Sequence, residues 1–128
     1  MDIVKDMGRA NIKIGLLTET GNIDQNFFNH MLEERNLPYR VYAPAKGGQH
    51  TGGTAIVCAL DIAKHIDEKS VKHTRDRRLS HLTINPPGHP ALHVVCVYGD
   101  AQKTDPKINQ TIRNYLEKHI RKGDISWF

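Results

Sequence analysis

Gly52-Gly53-Thr54-Ala55-Ile56-Val57-Cys58-Ala59-Leu60 is the stretch on which the reading of this chain turns. From Thr54 to Leu60 it carries no charge and mixes β-branched with small apolar side chains, which suits a strand buried on both faces. Such a strand needs layers on each side of it, and the flanking sequence supplies candidates. Downstream, Ala91-Leu92-His93-Val94-Val95-Cys96-Val97-Tyr98 is the strongest strand in the chain, stopped by Gly99-Asp100. Before it, Arg78 to Ile84 alternates with period two, and Asn85-Pro86-Pro87-Gly88-His89-Pro90 is a turn, so the two runs predict a hairpin. Upstream, Ile12 to Leu17 reads as a short strand running into Thr18-Glu19-Thr20-Gly21, with Gly21-Asn22 as a turn.

Helices fill the intervals. Asp24 is placed as the cap of a helix over Gln25 to Arg35, with Phe27, Phe28, Met31 and Leu32 as its core face. Asn36 ends it and Pro38 forbids continuation. Tyr39 to Tyr42 reads as a strand, followed by a glycine-rich loop from Ala43 to Gly53. Asp61 to Arg77 shows no clean period and reads as irregular or briefly helical. Asp105 as N-cap and Pro106 as first residue open a final helix whose stripe is Ile108, Ile112, Tyr115, Leu116, His119 and Ile120, with Gly123 beyond its basic last turn. Ile125 to Phe128 resembles the start of a further strand. The order predicts an α/β (α+β-like) single domain spanning 1–128, with a mostly antiparallel mixed sheet and helices packed on it.

Composition bounds the function classes. The 128 residues are 38% hydrophobic and 25% charged, a globular balance rather than a disordered one. No apolar run approaches the roughly 18 residues of a membrane span, and the first residues lack the apolar core of a secretory signal. The expectation is a soluble intracellular protein, cytoplasmic or nuclear, with no membrane partner. Cys58 and Cys96 each sit in an apolar run without a nearby cysteine, so both read as reduced, buried thiols. The net charge of +4 is uneven: residues 64–128 hold 12 basic and 7 acidic side chains, while 1–63 hold 6 and 7. The stretch from Lys64 to His81 is the densest, and a polyanion would be drawn to it. From charge alone it reads first as a solvated loop diluted by Asp67, Glu68 and Asp76.

Glu19 follows directly on a strand, where α/β sheets place functional groups, and a single ionised carboxylate suits Mg²⁺ or Mn²⁺. It also reads as a solvent-facing strand end. Asp100 stands after the strand ending in Tyr98 in the same way. The Gly47-Gly48 and Gly52-Gly53 pairs fit neither a phosphate loop nor a dinucleotide fingerprint, because the loop leads into a strand. Of the eight histidines only His89 and His93 stand at His-x-x-x-His spacing, and no Cys-x-x-Cys accompanies them. His93 reads as a sheet-surface residue, and His30 and His119 as packing or solvent-facing. No Gly-x-Ser-x-Gly elbow is present.

Taken in order, Leu16-Leu17-Thr18-Glu19-Thr20, Gly52-Gly53-Thr54-Ala55-Ile56-Val57, Arg78-Leu79 and Val94-Val95-Cys96-Val97-Tyr98 resemble the endonuclease/exonuclease/phosphatase superfamily of exonuclease III-type and DNase I-like enzymes, over roughly residues 10–122. The resemblance implies half of a four-layer α/β sandwich and Mg²⁺-dependent (or Mn²⁺-dependent) phosphodiesterase chemistry on nucleic acid, DNA before RNA. It implies that Glu19 is the metal-binding glutamate and Tyr98 the tyrosine beside the scissile phosphate; Asp100 is a catalytic candidate by its strand-end position and not by the resemblance. The family often has Pro-Asn after that tyrosine, where this chain has Gly99-Asp100. The asparagine of the family's first strand and its Gly-Asp-x-Asn and Ser-Asp-His motifs are missing from this sequence. The expectation is therefore an N-terminal half, inactive by itself, of the kind also found with reverse transcriptases. The competing expectation is a non-catalytic module that holds nucleic acid or a protein through residues 64–81, with Lys72, Arg75, Arg77 and Arg78 as contacts. Self-association through an exposed sheet edge is a third.

Overall fold

The computed structural model describes residues 2–21, 23–45, 53–99 and 106–120. Along the chain run α1 (Asp2–Arg9), β1 (Ile14–Thr18), α2 (Gln25–Glu34), β2 (Tyr39–Tyr42), β3 (Thr54–Ala59), α3 (Leu60–Ala63), β4 (Ile66–His73), β5 (Leu79–Ile84), β6 (Leu92–Val97) and α4 (Pro106–His119). Every residue of β3 is buried, as its uncharged sequence requires. It is the middle of a three-stranded sheet in the order β1-β3-β2, with Leu16 opposite Ile56 and Val41 opposite Val57. The hairpin pairs Leu82 with Val94 and Leu79 with Val97, and with β4 it makes a second sheet in the order β4-β5-β6. All pairings are antiparallel.

The two sheets face each other. Tyr42, Ile56 and Cys58 of the first pack in one cluster with Ile66, Leu82, Ile84, Val94 and Cys96 of the second. The other face of β3, with Ala55, Val57 and Ala59, meets Val4 and Met7 of α1 and Leu32 of α2. On the outside of the second sheet, the α4 residue Tyr115 reaches His81 of β5 at 3.0 Å. The layers thus run helix, sheet, sheet, helix, and the chain is of the α/β class. No helix among the described residues is long and apolar enough to cross a membrane.

Three elements depart from the sequence expectation. The N-terminal segment forms α1, whose Val4 and Met7 lie one turn apart on the buried face. Its high charge lies on the other face and hid the pattern. Residues 66–73 form β4, an edge strand whose Asp67, Glu68 and Lys69 point to water and whose register shifts between Asp67 and Lys72. Charge and a bulge are how edges avoid unwanted pairing, and both erase the period-two signal. In α2, Asp24 caps as expected, its Oδ1 accepting from the Phe27 amide at 3.1 Å. Leu32 is fully buried, but Phe27 is 60% exposed and not core. The helix instead presents Asn29 to the sheet. Asn29 donates to the Val41 carbonyl at 3.0 Å and accepts from the Val41 amide at 2.7 Å, while Gln25 accepts from the Ala43 amide at 2.9 Å. Those amides pair the free edge of β2, and that docking turns Phe27 outward. The expected Asp105 cap, the loop from Lys46 to Gly52 and the strand-like residues 125–128 lie outside the described residues.

Candidate functional site

Because β1 and β6 are each antiparallel to the central strand of their own sheet, Thr18 lies beside Thr54 and Val97 beside Leu79. A buried polar chain joins these ends between the sheets. The hydroxyls of Thr54 and Ser80 lie 2.7 Å apart, Ser80 Oγ reaches His73 Nδ1 at 2.7 Å, and Thr54 donates to the Arg77 carbonyl at 3.2 Å. Burial holds the His73 imidazole below its ordinary range, so it stays a neutral partner. The carboxyl ends of β1 and β6 are therefore brought to the same end of the sandwich.

There the phenol of Tyr98 donates to Glu19 Oε1 at 2.8 Å, joining residues 79 apart in sequence. Glu19 has φ 55, so the backbone turns out of the strand at this residue, and its side chain is exposed. Arg78 positions the tyrosine. Its guanidinium carbon stands 5.3 Å from the ring centroid, and Nη1 donates to the carbonyls of Tyr98 at 3.1 Å and Gly99 at 3.3 Å.

The Glu19 turn is braced from below. Arg77 is 5% exposed and its Nη2 donates to the Gly21 carbonyl. The Thr20 amide donates to the Gly53 carbonyl at 3.5 Å. Gly53 sits at φ +97, and a Cβ there would lie 2.6 Å from Thr20 Oγ1 and 3.0 Å from the Gly21 carbonyl oxygen, so only glycine fits. Thr20 Oγ1 is buried and has no hydrogen-bond partner among the described residues.

The expected site residues thus fall into separate places. Glu19 and Tyr98 meet, and Arg78 joins them. Asp100 lies outside the described residues. Arg77 differs from a surface nucleic-acid contact, because its guanidinium is turned inward as a brace. Lys72 lies opposite His81 in the β4–β5 register, and Arg75 is exposed in the following turn. The bracing role of Arg77 and Gly53 was not read from the sequence; the one signal available was a glycine directly before the fully buried strand.

Chemically, the rim presents one carboxylate beside a phenol and a guanidinium. Among the described residues, no group of three or more His, Cys, Asp or Glu side chains could hold a metal ion. A lone carboxylate fits Mg²⁺ in the mode where one protein ligand is completed by substrate phosphate oxygens and water, rather than a resident all-protein cage. Cys96 and Cys58 are buried and free, and burial pushes both thiols up to about 11. Cys96 Sγ donates to the Leu17 carbonyl at 3.3 Å, so it packs at the seam instead of reacting. No protein-family model matches the chain, and neither a curated protein nor a solved structure matches it.

Proposed function

We propose that the Glu19–Tyr98 end receives a phosphodiester of nucleic acid, DNA before RNA, in the manner of the endonuclease/exonuclease/phosphatase superfamily, and binds it without turnover. The observation that carries the reading is the 2.8 Å bond between Tyr98 and Glu19 across the two sheets. Two residues singled out by motif order stand side by side, each directly after the last residue of its own strand. On binding, Tyr98, whose ring lies under the Arg78 guanidinium, would turn its single hydroxyl proton from Glu19 to a non-bridging phosphate oxygen and so free the carboxylate for the cation. Arg78 adds positive charge beside it. Glu19 is the residue that would hold Mg²⁺ or Mn²⁺ together with the phosphate, and the cation would supply neutralisation of phosphate charge. The sequence contains neither Gly-Asp-x-Asn nor Ser-Asp-His, so no residue is assigned as the base that hydrolysis needs.

The experiment pairs fluorescence anisotropy on a short labelled duplex with a plasmid-nicking assay, with and without Mg²⁺. The expected result is binding that tightens with Mg²⁺, loses that gain in Glu19→Gln, and yields no nicked product. Affinity that ignores both Mg²⁺ and Glu19→Gln, and collapses when Lys72 and Arg75 are replaced by Gln, would replace this reading with a basic-segment binder. Nicking abolished by Glu19→Gln would keep the site and overturn the absence of turnover.

A further inference from the structure

The outer face of the second sheet carries a chain of imidazoles that the phosphate reading does not use. His81 of β5 is 5% exposed. Its Nε2 lies 3.1 Å from His93 Nδ1 on β6, and its Nδ1 lies 3.0 Å from the Tyr115 hydroxyl on α4. Thr83 Oγ1 also reaches His93 Nδ1 at 3.2 Å. The Tyr115 ring stands edge-on to His81 and is stacked on His119 with centroids 4.3 Å apart. A neutral imidazole has one donor and one acceptor nitrogen, and this arrangement fills both.

The charges facing His81 are all of one sign or neutral: Lys72 from β4, His93 from β6, and His119 with Tyr115 from α4. No carboxylate among the described residues pairs with His81, His93 or His119. The polar part of the contact between α4 and the second sheet is thus made of imidazoles and a phenol.

We propose that the His81–His93–Tyr115–His119 cluster is an acid-sensitive latch, whose protonation releases α4 from the second sheet while the first sheet with α1 and α2 stays folded. Burial first, then repulsion from the neighbouring His93, His119 and Lys72, lowers the His81 imidazole from 6.5 to about 4. The sign follows from linkage. The docked state disfavours the proton, so docking is fully present above the ordinary value of 6.5 and is lost as the pH falls from 6.5 towards 4. Between neutral pH and about pH 5, the equilibrium between docked and released α4 shifts about 30-fold towards release.

Native-state hydrogen exchange tests this on the whole chain. Protection factors, corrected for the intrinsic pH dependence of exchange, are compared for amides of α4 and of β3 at about pH 7.5 and about pH 5. The expected result is a loss of about 30-fold in α4 protection with little change in β3. In His81→Gln, which keeps a donor and an acceptor but cannot charge, α4 protection becomes independent of pH. A flat α4 profile in the unmodified chain overturns the latch, as does an equal loss in His81→Gln. Equal loss in β3 and α4 also overturns it, because it reports global unfolding. Should His81→Gln fail to fold, the imidazole resonances of the unmodified chain decide the matter. His81 titrating far below exposed His89 supports the latch, and His81 titrating alongside it refutes the latch.

Discussion

Replacing Gly53 by alanine tests the brace beneath Glu19. The added methyl meets three obstacles: Thr20 Oγ1 at 2.6 Å, the Gly21 carbonyl oxygen at 3.0 Å and Arg77 Nη2 at 3.2 Å. The second is backbone and cannot swing aside. The first and third belong to side chains that are themselves packed. Two costs add. An L-residue at φ +97 gives up roughly 1–2 kcal/mol relative to glycine, and forcing a methyl into filled space costs roughly 1–3 kcal/mol more. The sum is roughly 2–5 kcal/mol. Gly88 provides the internal control, since it has φ +72 with nothing within 4 Å of its missing Cβ. Gly88→Ala carries the conformational cost alone, roughly 1 kcal/mol. Urea unfolding of both variants, followed by circular dichroism with matched slopes, gives the comparison. The expected outcome is a Gly53→Ala loss exceeding that of Gly88→Ala by at least 1 kcal/mol, roughly the lower end of the overpacking cost. Equal losses would show that the Thr20–Gly21 turn is not pressed against Gly53, and the brace would have to be abandoned.

The other predictions concern single contacts. Asn29→Ala strips both hydrogen bonds from the Val41 backbone and is expected to cost roughly 1–3 kcal/mol by the same urea assay, with a loss below 0.5 kcal/mol counting against the edge-pairing role. Asp24→Ala removes the cap on the Phe27 amide and should cost about 1 kcal/mol, with reduced amide protection confined to the first turn of α2. Leu32→Ala empties a fully buried position between α2 and the sheet and should cost roughly 2–5 kcal/mol. Both cysteines, with thiols raised to about 11, should resist alkylation in the native chain at neutral pH and react at full stoichiometry in urea; fast labelling of the folded protein would contradict their burial.

What the sequence disclosed and what it hid have physical causes. Thr54–Ala59 was legible because a strand buried on both faces must be apolar throughout, and the β5–β6 hairpin was legible from its proline-rich turn. Strand β4 was not, because an edge strand can leave Asp67, Glu68, Lys69 and Lys72 exposed and carry a bulge in its middle. Helix α1 hid behind its charge for the same reason. The outward Phe27 could not be foreseen, since hydrophobicity ranks it as core while the polar Asn29 satisfies a backbone edge visible only in three dimensions. Glu19 and Tyr98 could be named from motif order, but their meeting depends on two sheets ending at one place. The inward turn of Arg77 also depends on tertiary placement: nothing in a run such as Arg75-Asp76-Arg77-Arg78 says which guanidinium is buried. His93 read as a sheet-surface residue, and its contact with His81 follows from strand pairing that the sequence alone does not print.

The proposed phosphate site is tested most directly by locating the cation. Mn²⁺ can stand in for Mg²⁺, and its paramagnetism broadens nearby nuclear resonances. Titrating it into the ¹⁵N-labelled chain with a short DNA duplex should broaden the amides of Thr18 to Gly21 and of Tyr98 first, and Glu19→Gln should abolish that selectivity. Broadening that begins instead around Asp67 and Glu68, or that is unchanged in Glu19→Gln, would contradict the assignment of Glu19 and Tyr98 as the phosphate-binding pair.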